Sequence, residues 1–186
     1  TEYLDLVKWS KSGKPNDARK AGVNLAKKSI HNNILICGSI QKMSEDVIKG
    51  YLLRQYEFSD YKNIKNTGTG SVTLMLKRPK DFAKSLSEIK AQVDGVFFTR
   101  NLVNEPANIL STVEFSKRLK KLSDLGVSVE ILEEKKLEEL GMNALLGVGQ
   151  GSANPSKVVV MSWKGASESI KPLVLVGKGV VFDTGG

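Results

Sequence analysis

Lys178 and Asp183 stand five residues apart in VGKGVVFDTGG, an element otherwise built of apolar residues, glycine and one threonine. An amine and a carboxylate in such surroundings need a partner, because an unpaired buried charge costs on the order of several kcal/mol. Two chemistries would satisfy them. They can pair with each other in an ion pair that closes a turn. Alternatively they can hold a metal ion, since a dication attracts the carboxylate and opposes protonation of the amine, keeping lysine as a neutral ligand. Just upstream, Leu173 to Val176 form a continuous apolar run, the pattern of a strand buried on both faces, and the run breaks into glycine where a strand ends. In open α/β sheets chemistry collects at the carboxyl ends of strands, so the pair is expected at such an end.

The element resembles VGKG-x-x-FD-[ST]-GG of the leucyl aminopeptidases, the two-metal cytosolic aminopeptidases of the M17 type. Three further stretches resemble the same family in the same order: YEFSDYK, TRNLVNEPANILS and LGMNALLGVGQGSANPSKVVVMSW. The resemblance covers about residues 18 to 186. It implies an α/β fold: a small macro-like N-terminal domain over 1–78, a connector helix over 79–105, and the first part of a mainly parallel α/β peptidase domain over 106–186. It also implies release of N-terminal leucine and similar residues from peptide substrates by two divalent ions. These are typically Zn2+ and Mn2+, with Mg2+ or Co2+ exchangeable, and they activate a water as hydroxide beside the scissile carbonyl. Carried over by position, Asp183 would bridge the two metals and Lys178 would ligate one of them as a neutral amine. The family's remaining carboxylates, its second lysine and its arginine lie downstream of this element and outside these 186 residues. No catalytic residue is therefore carried over, and the chain alone is expected to bind metal weakly and not to catalyse; the alternative reading is a non-catalytic truncated or interaction module, or DNA binding through the basic first half. A homo-hexamer in the cytoplasm is the family expectation.

The elements that must position the pair are legible in the same stretch. Ser111 or Thr112 is placed to cap a helix TVEFSKRLKKLSDLG, with Glu114 in its first turn and Gly126 as its stop. VSVEIL alternates as a strand, EEKKLEELGM reads as a short charged helix, and KVVVMSW and PLVLVG read as two further strands. Short connectors between alternating helices and strands predict a parallel sheet covered on both faces. Gly147, Gly149 and Gly151 are spaced GxGxG, without a preceding strand or a GK[ST] ending, so a close backbone turn is expected there and not a phosphate loop.

Upstream, DARKAGVNLAKKS predicts a helix over 17–29, with Lys27 and Lys28 suited to its C-terminus. The strand ILICG follows, and its Cys37 reads as a small buried hydrophobe. Ser44 is placed to cap a helix over 44–53. Tyr51, Tyr56, Phe58 and Tyr61 read as packing residues in preference to a base-stacking set. In SVTLMLKR, Val72, Leu74 and Leu76 alternate. From Asp81 a long helical stripe of Phe82, Leu86, Ile89, Val93 and Phe97, interrupted only at Gly95, runs to Glu105, where Pro106 disfavours helix. Asn101, Asn104 and Asn108 read as local backbone caps. The only histidine, His31, lacks company for metal or base chemistry and reads as a solvated turn residue.

Composition sets the outer bounds. Hydrophobic residues make up 40% and charged residues 26%, ordinary for a globular chain. No apolar run approaches the roughly 18 residues that span a bilayer. The start lacks the apolar core of a signal peptide and an initiator Met, so a natural N-terminus that is trimmed or lies upstream is expected. One cysteine permits no internal disulfide, which fits a reducing compartment. The net charge of +8 lies entirely in the first half: residues 1–90 hold 17 basic against 9 acidic residues, and the rest hold 11 against 11. The lysines are scattered and not interleaved with aromatics, so a solvated surface is preferred over nucleic-acid binding.

Overall fold

The computed structural model describes residues 13–29, 33–38, 41–63, 71–76, 78–167 and 169–183. His31 lies outside them. The chain divides into two compact units, Thr1–Asn104 and Glu105–Gly186.

In the first unit α1 (Pro15–Ser29) opens two residues earlier than the sequence suggests, because proline is well placed in a first turn, where its missing N–H is not needed. β1 (Ile34–Gly38) leads to α2 (Gln41–Arg54), and β2 (Val72–Leu76) leads to α3 (Pro79–Asn104). Ser44 does not cap α2. The helix starts at Gln41, since Gln41, Lys42 and Met43 all tolerate helix, and Ser44 is buried within its first turns. Gly95 does not interrupt α3, whose stripe buries Phe82, Ile89 and Val93.

β1 and β2 pair in parallel from Ile34 opposite Val72 to Gly38 opposite Leu76. Asn33 fastens the entry, its Oδ1 accepting from the backbone N–H of Ser71 at 3.0 Å and from the Ser71 hydroxyl at 2.8 Å. One face of the pair, with Ile36, Val72, Leu74 and Leu76, packs on a core of Ile48, Phe82, Ile89 and Val93. The two-residue period then sends Leu35, Cys37 and Met75 to the other face, where they are exposed. Cys37 is therefore not the buried hydrophobe that an apolar strand suggests: a run of apolar residues hides which of them faces the core.

α1 and α2 cross at van der Waals limits. A Cβ at Gly22 would lie 1.9 Å from the Val47 carbonyl oxygen, and one at Gly50 would lie 2.1 Å from that of Arg19. Ala18, Ala21 and Ala26 are buried beside them, and Tyr51 is fully buried, its hydroxyl without a hydrogen-bond partner among the described residues. After α2, Tyr56 packs edge-on against Phe97 at 5.2 Å, takes the Arg100 guanidinium 3.8 Å over its ring, and its hydroxyl accepts from Asn104 Nδ2 at 2.9 Å. The aromatic run is thus packing, as its sequence context suggests. Asn104, by contrast, is not a local backbone cap: a tyrosine hydroxyl far away in sequence takes its amide.

In the second unit Ser111 is the cap of α4 (Thr112–Lys120), its hydroxyl accepting from Glu114 N–H at 3.3 Å. A 3-10 turn over Lys121–Leu125 continues the helix and stops at Gly126, whose φ of 88° suits glycine. β3 (Ser128–Leu132), α5 (Glu134–Glu139), α6 (Asn143–Gly149) and β4 (Val158–Ser162) follow. β3 and β4 pair antiparallel, Leu132 lying opposite Val158, against the parallel arrangement that alternation predicts. The connection leaves and re-enters at the same end of the pair. Two helices of six and seven residues, each only about 10 Å long, turn back at Gly141 (φ 67°) and do not cross the sheet.

The predicted strand at Leu173–Val176 does not form. These residues are 88, 72, 86 and 94% exposed in irregular chain, and no strand among the described residues pairs with them. An apolar run becomes a strand only where another backbone completes its hydrogen bonds.

Candidate functional site

α4 is the most heavily tethered element of the second unit. Arg118 donates from Nη1 to Glu105 Oε2 at 2.5 Å and from Nε to Glu114 Oε1 at 2.9 Å, and the Glu105 side chain is only 4% exposed. The bond to Glu105, then that to Glu114, raise the Arg118 guanidinium above its ordinary range. The Arg118 hydrogen bond holds the Glu114 carboxyl below its usual range, assisted by the nearby lysine charges against a smaller opposing effect of burial. Thr112 Oγ1 donates to the Pro155 carbonyl at 2.8 Å, and Lys120 Nζ donates to that of Val129 at 2.6 Å. Charge, cap and hydrogen bonds together fix this helix at its start, middle and end.

On that helix the Phe115 ring meets the backbone of Gly179, where an added Cβ would lie 3.0 Å from Cε1. Lys178 precedes this contact and is exposed between Gly177 and Gly179; Val181 is half-buried, and Asp183 is exposed. Residues 171–183 contain no helix, strand or turn. The strand-end setting expected for Lys178 and Asp183 is absent because the strand itself is absent, and so is the turn that an ion pair would close.

The donors suit a divalent cation in kind, a carboxylate oxygen and an amine nitrogen, and both are open to solvent. Their number falls short of the about four to six donors that such ions take. Among the described residues no group of three or more His, Cys, Asp and Glu side chains could hold a metal. The two residues fit part of a coordination shell, and the rest would have to come from elsewhere.

A separate open cleft of about 500 Å³ lies at α5 and α6, lined by Glu134, Glu138, Asn143, Gln150 and Ser152 among others, and by neither Lys178 nor Asp183. Glu134 Oε1 accepts from the Ser156 N–H at 2.7 Å. Gly147 and Gly149 belong to α6, and Gly149 packs against the Ser156 hydroxyl. The carboxylates in the wall would repel phosphate. Sequence reasoning missed the Glu105 and Phe115 contacts. Only the i,i+4 spacing of Glu114 and Arg118 signalled any of this network.

The fold is shared with part of two known structures. A mutant of tomato leucine aminopeptidase superposes with a TM-score of 0.73 at 21% identity, over 81% of this chain and 33% of that one. The bottromycin maturation enzyme BotP in complex with Mn gives a TM-score of 0.66 at 23% identity, over 82% and 34%. Residues 97–186 match the catalytic domain of the cytosol aminopeptidase family. A probable cytosol aminopeptidase of Cereibacter sphaeroides is 49% identical over all 186 residues, and one of Dinoroseobacter shibae is 46% identical over the same length. The chain belongs to the cytosol aminopeptidase family. It spans 38% of the length of these two relatives. Among the described residues no helix is long and apolar enough to cross a membrane.

Proposed function

We propose that this chain carries the first part of the site of a two-metal aminopeptidase that releases leucine and similar residues from the N-termini of peptides. The observation that carries the reading is the placement of Lys178 and Asp183, both solvent-open, within the stretch that matches the family's catalytic domain. Asp183 would hold metal through its carboxylate, and Lys178 would serve as a neutral amine donor to it. Bound Zn2+ or Mn2+, with Mg2+ or Co2+ as substitutes, supplies a Lewis acid and a hydroxide at neutral pH. Lys178 and Asp183 supply only part of a coordination shell, so the remaining donors would come from elsewhere in the full-length protein, and these 186 residues alone are expected not to catalyse. A cytoplasmic homo-hexamer is part of the same reading, and the basic first half is read as solvated surface in preference to a nucleic-acid-binding one.

The test uses the protein in its full natural length. Asp183→Ala abolishes leucine release from a leucyl peptide and lowers bound metal measured by elemental analysis, whereas His31→Ala changes neither. Normal turnover by the Asp183→Ala protein would sink the assignment.

A further inference from the structure

We infer that Phe115 is a positioning residue for the ligand segment, its ring being the seat that fixes where Lys178 leaves the backbone. The inference rests on the metal-ligand reading of Lys178 and Asp183.

The segment from Lys171 to Val180 is exposed throughout and has no regular secondary structure to hold it. Glycines flank Lys178 on both sides, so its own neighbours restrict its backbone little. Against that freedom stands one close approach: the position of a Cβ on Gly179 lies 3.0 Å from Phe115 Cε1, 3.8 Å from Cδ1 and 4.0 Å from Cζ. The backbone therefore lies close against the ring, and a side chain added at 179 would require ring or backbone to give by a few tenths of an ångström. Consecutive Cα atoms are about 3.8 Å apart, so whatever fixes Gly179 fixes the origin of the Lys178 side chain.

The seat is itself held. Phe115 N–H donates to the Ser111 carbonyl at 2.8 Å in the first turn of the helix, directly after the cap. The neighbouring Glu114 is bound by Arg118, which is bound in turn by the buried Glu105. Thr112, three residues before Phe115, is bonded to the Pro155 carbonyl. A ring on so tethered a helix can orient a segment that has no other regular support. A metal ligand needs that orientation, because supporting contacts outside the coordination shell typically change metal affinity about tenfold or more.

The experiment compares Phe115→Ala, Gly179→Ala and the double variant Phe115→Leu/Gly179→Ala in the full-length protein with its wild type. Two readouts are taken: NMR chemical shifts with backbone order parameters in the metal-free protein, and affinity for Mn2+ by titration. Phe115→Ala is expected to remove the ring-current shift at Gly179 and to lower the order parameters of residues 177–180 while β3 and β4 keep theirs, which separates a lost seat from a damaged fold. Gly179→Ala is expected to weaken Mn2+ binding about tenfold. The smaller leucine makes room for the added methyl, so the double variant recovers affinity. Unchanged shift and order at residues 177–180, or strictly additive losses in the double variant, would overturn the seat. If shift and order respond as expected but Asp183→Ala leaves Mn2+ affinity intact, the seat holds the segment and the metal assignment is what fails.

Discussion

The α1–α2 crossing and the segment from Pro172 to Phe182 are both rich in small and apolar residues, and the molecule treats them in opposite ways. At the crossing, Gly22, Gly50 and three alanines bring two backbones into contact around a fully buried Tyr51. In the later segment Leu173, Val174, Leu175 and Val176 are at least 72% exposed. The difference lies in the partner, not in the residues. Each helix of the crossing finds its complement a short distance along the same chain. Among the described residues no strand pairs with the later run, and hydrophobicity alone does not make structure where hydrogen bonds go unmet.

The contrast can be broken at its tight end. Gly22→Leu would drive a side chain into the Val47 carbonyl and is expected to cost about 3 kcal/mol or more, read as a fall in the urea midpoint. A loss below about 1 kcal/mol would mean that the helices can separate freely and that the crossing is not close-packed.

Next in size is the tether that sets the second unit's ordered part apart from its exposed end. Arg118→Met strips Glu105 of its guanidinium and is expected to cost about 3 kcal/mol. The same change should let the Glu114 carboxyl titrate closer to its ordinary range, followed by NMR. Because its folded pKa is lowered, the contribution of Glu114 is complete above the ordinary glutamate value of about 4.3 and fades as pH falls through the lowered folded value. In Arg118→Met that acid-limb dependence shrinks. An unaltered titration would assign the lowered pKa to the surrounding lysines.

The smallest effect sharpens the comparison from the exposed side. Leu175→Ser in the 186-residue chain should change stability by less than about 0.5 kcal/mol, since nothing covers the side chain. The same substitution in a full-length protein should cost more if further chain covers it there. Equal, negligible effects in both would show that the run stays solvent-exposed.

What the sequence revealed was local. The stripe of α3, the alternation of β2, the Ser111 cap and the Gly126 stop all follow from residues a few positions apart. Cys37, Ser44 and Asn104 were misread because their surroundings come from other elements: the sheet face, the first turns of α2, and Tyr56. The antiparallel pairing of β3 with β4 depends on how two short helices fold back, which alternation of element types does not encode. At the site, the residue types and spacing of Lys178 and Asp183 were plain in the sequence. Glu105 beneath Arg118 and Phe115 beneath Gly179 were not, because neither contact follows a helical or strand period.

The parallel register of β1 and β2 also sets an order of events. Ile34 and Val72 cannot meet until the chain between them, α2 included, has come back across the sheet, and closing so long a loop costs entropy before any ladder bond forms. The crossing of α1 and α2 closes a somewhat shorter loop, between two helices whose own bonds are local. Refolding of the first unit should therefore begin with the helices, and the sheet should arrive last, as the step that limits the rate.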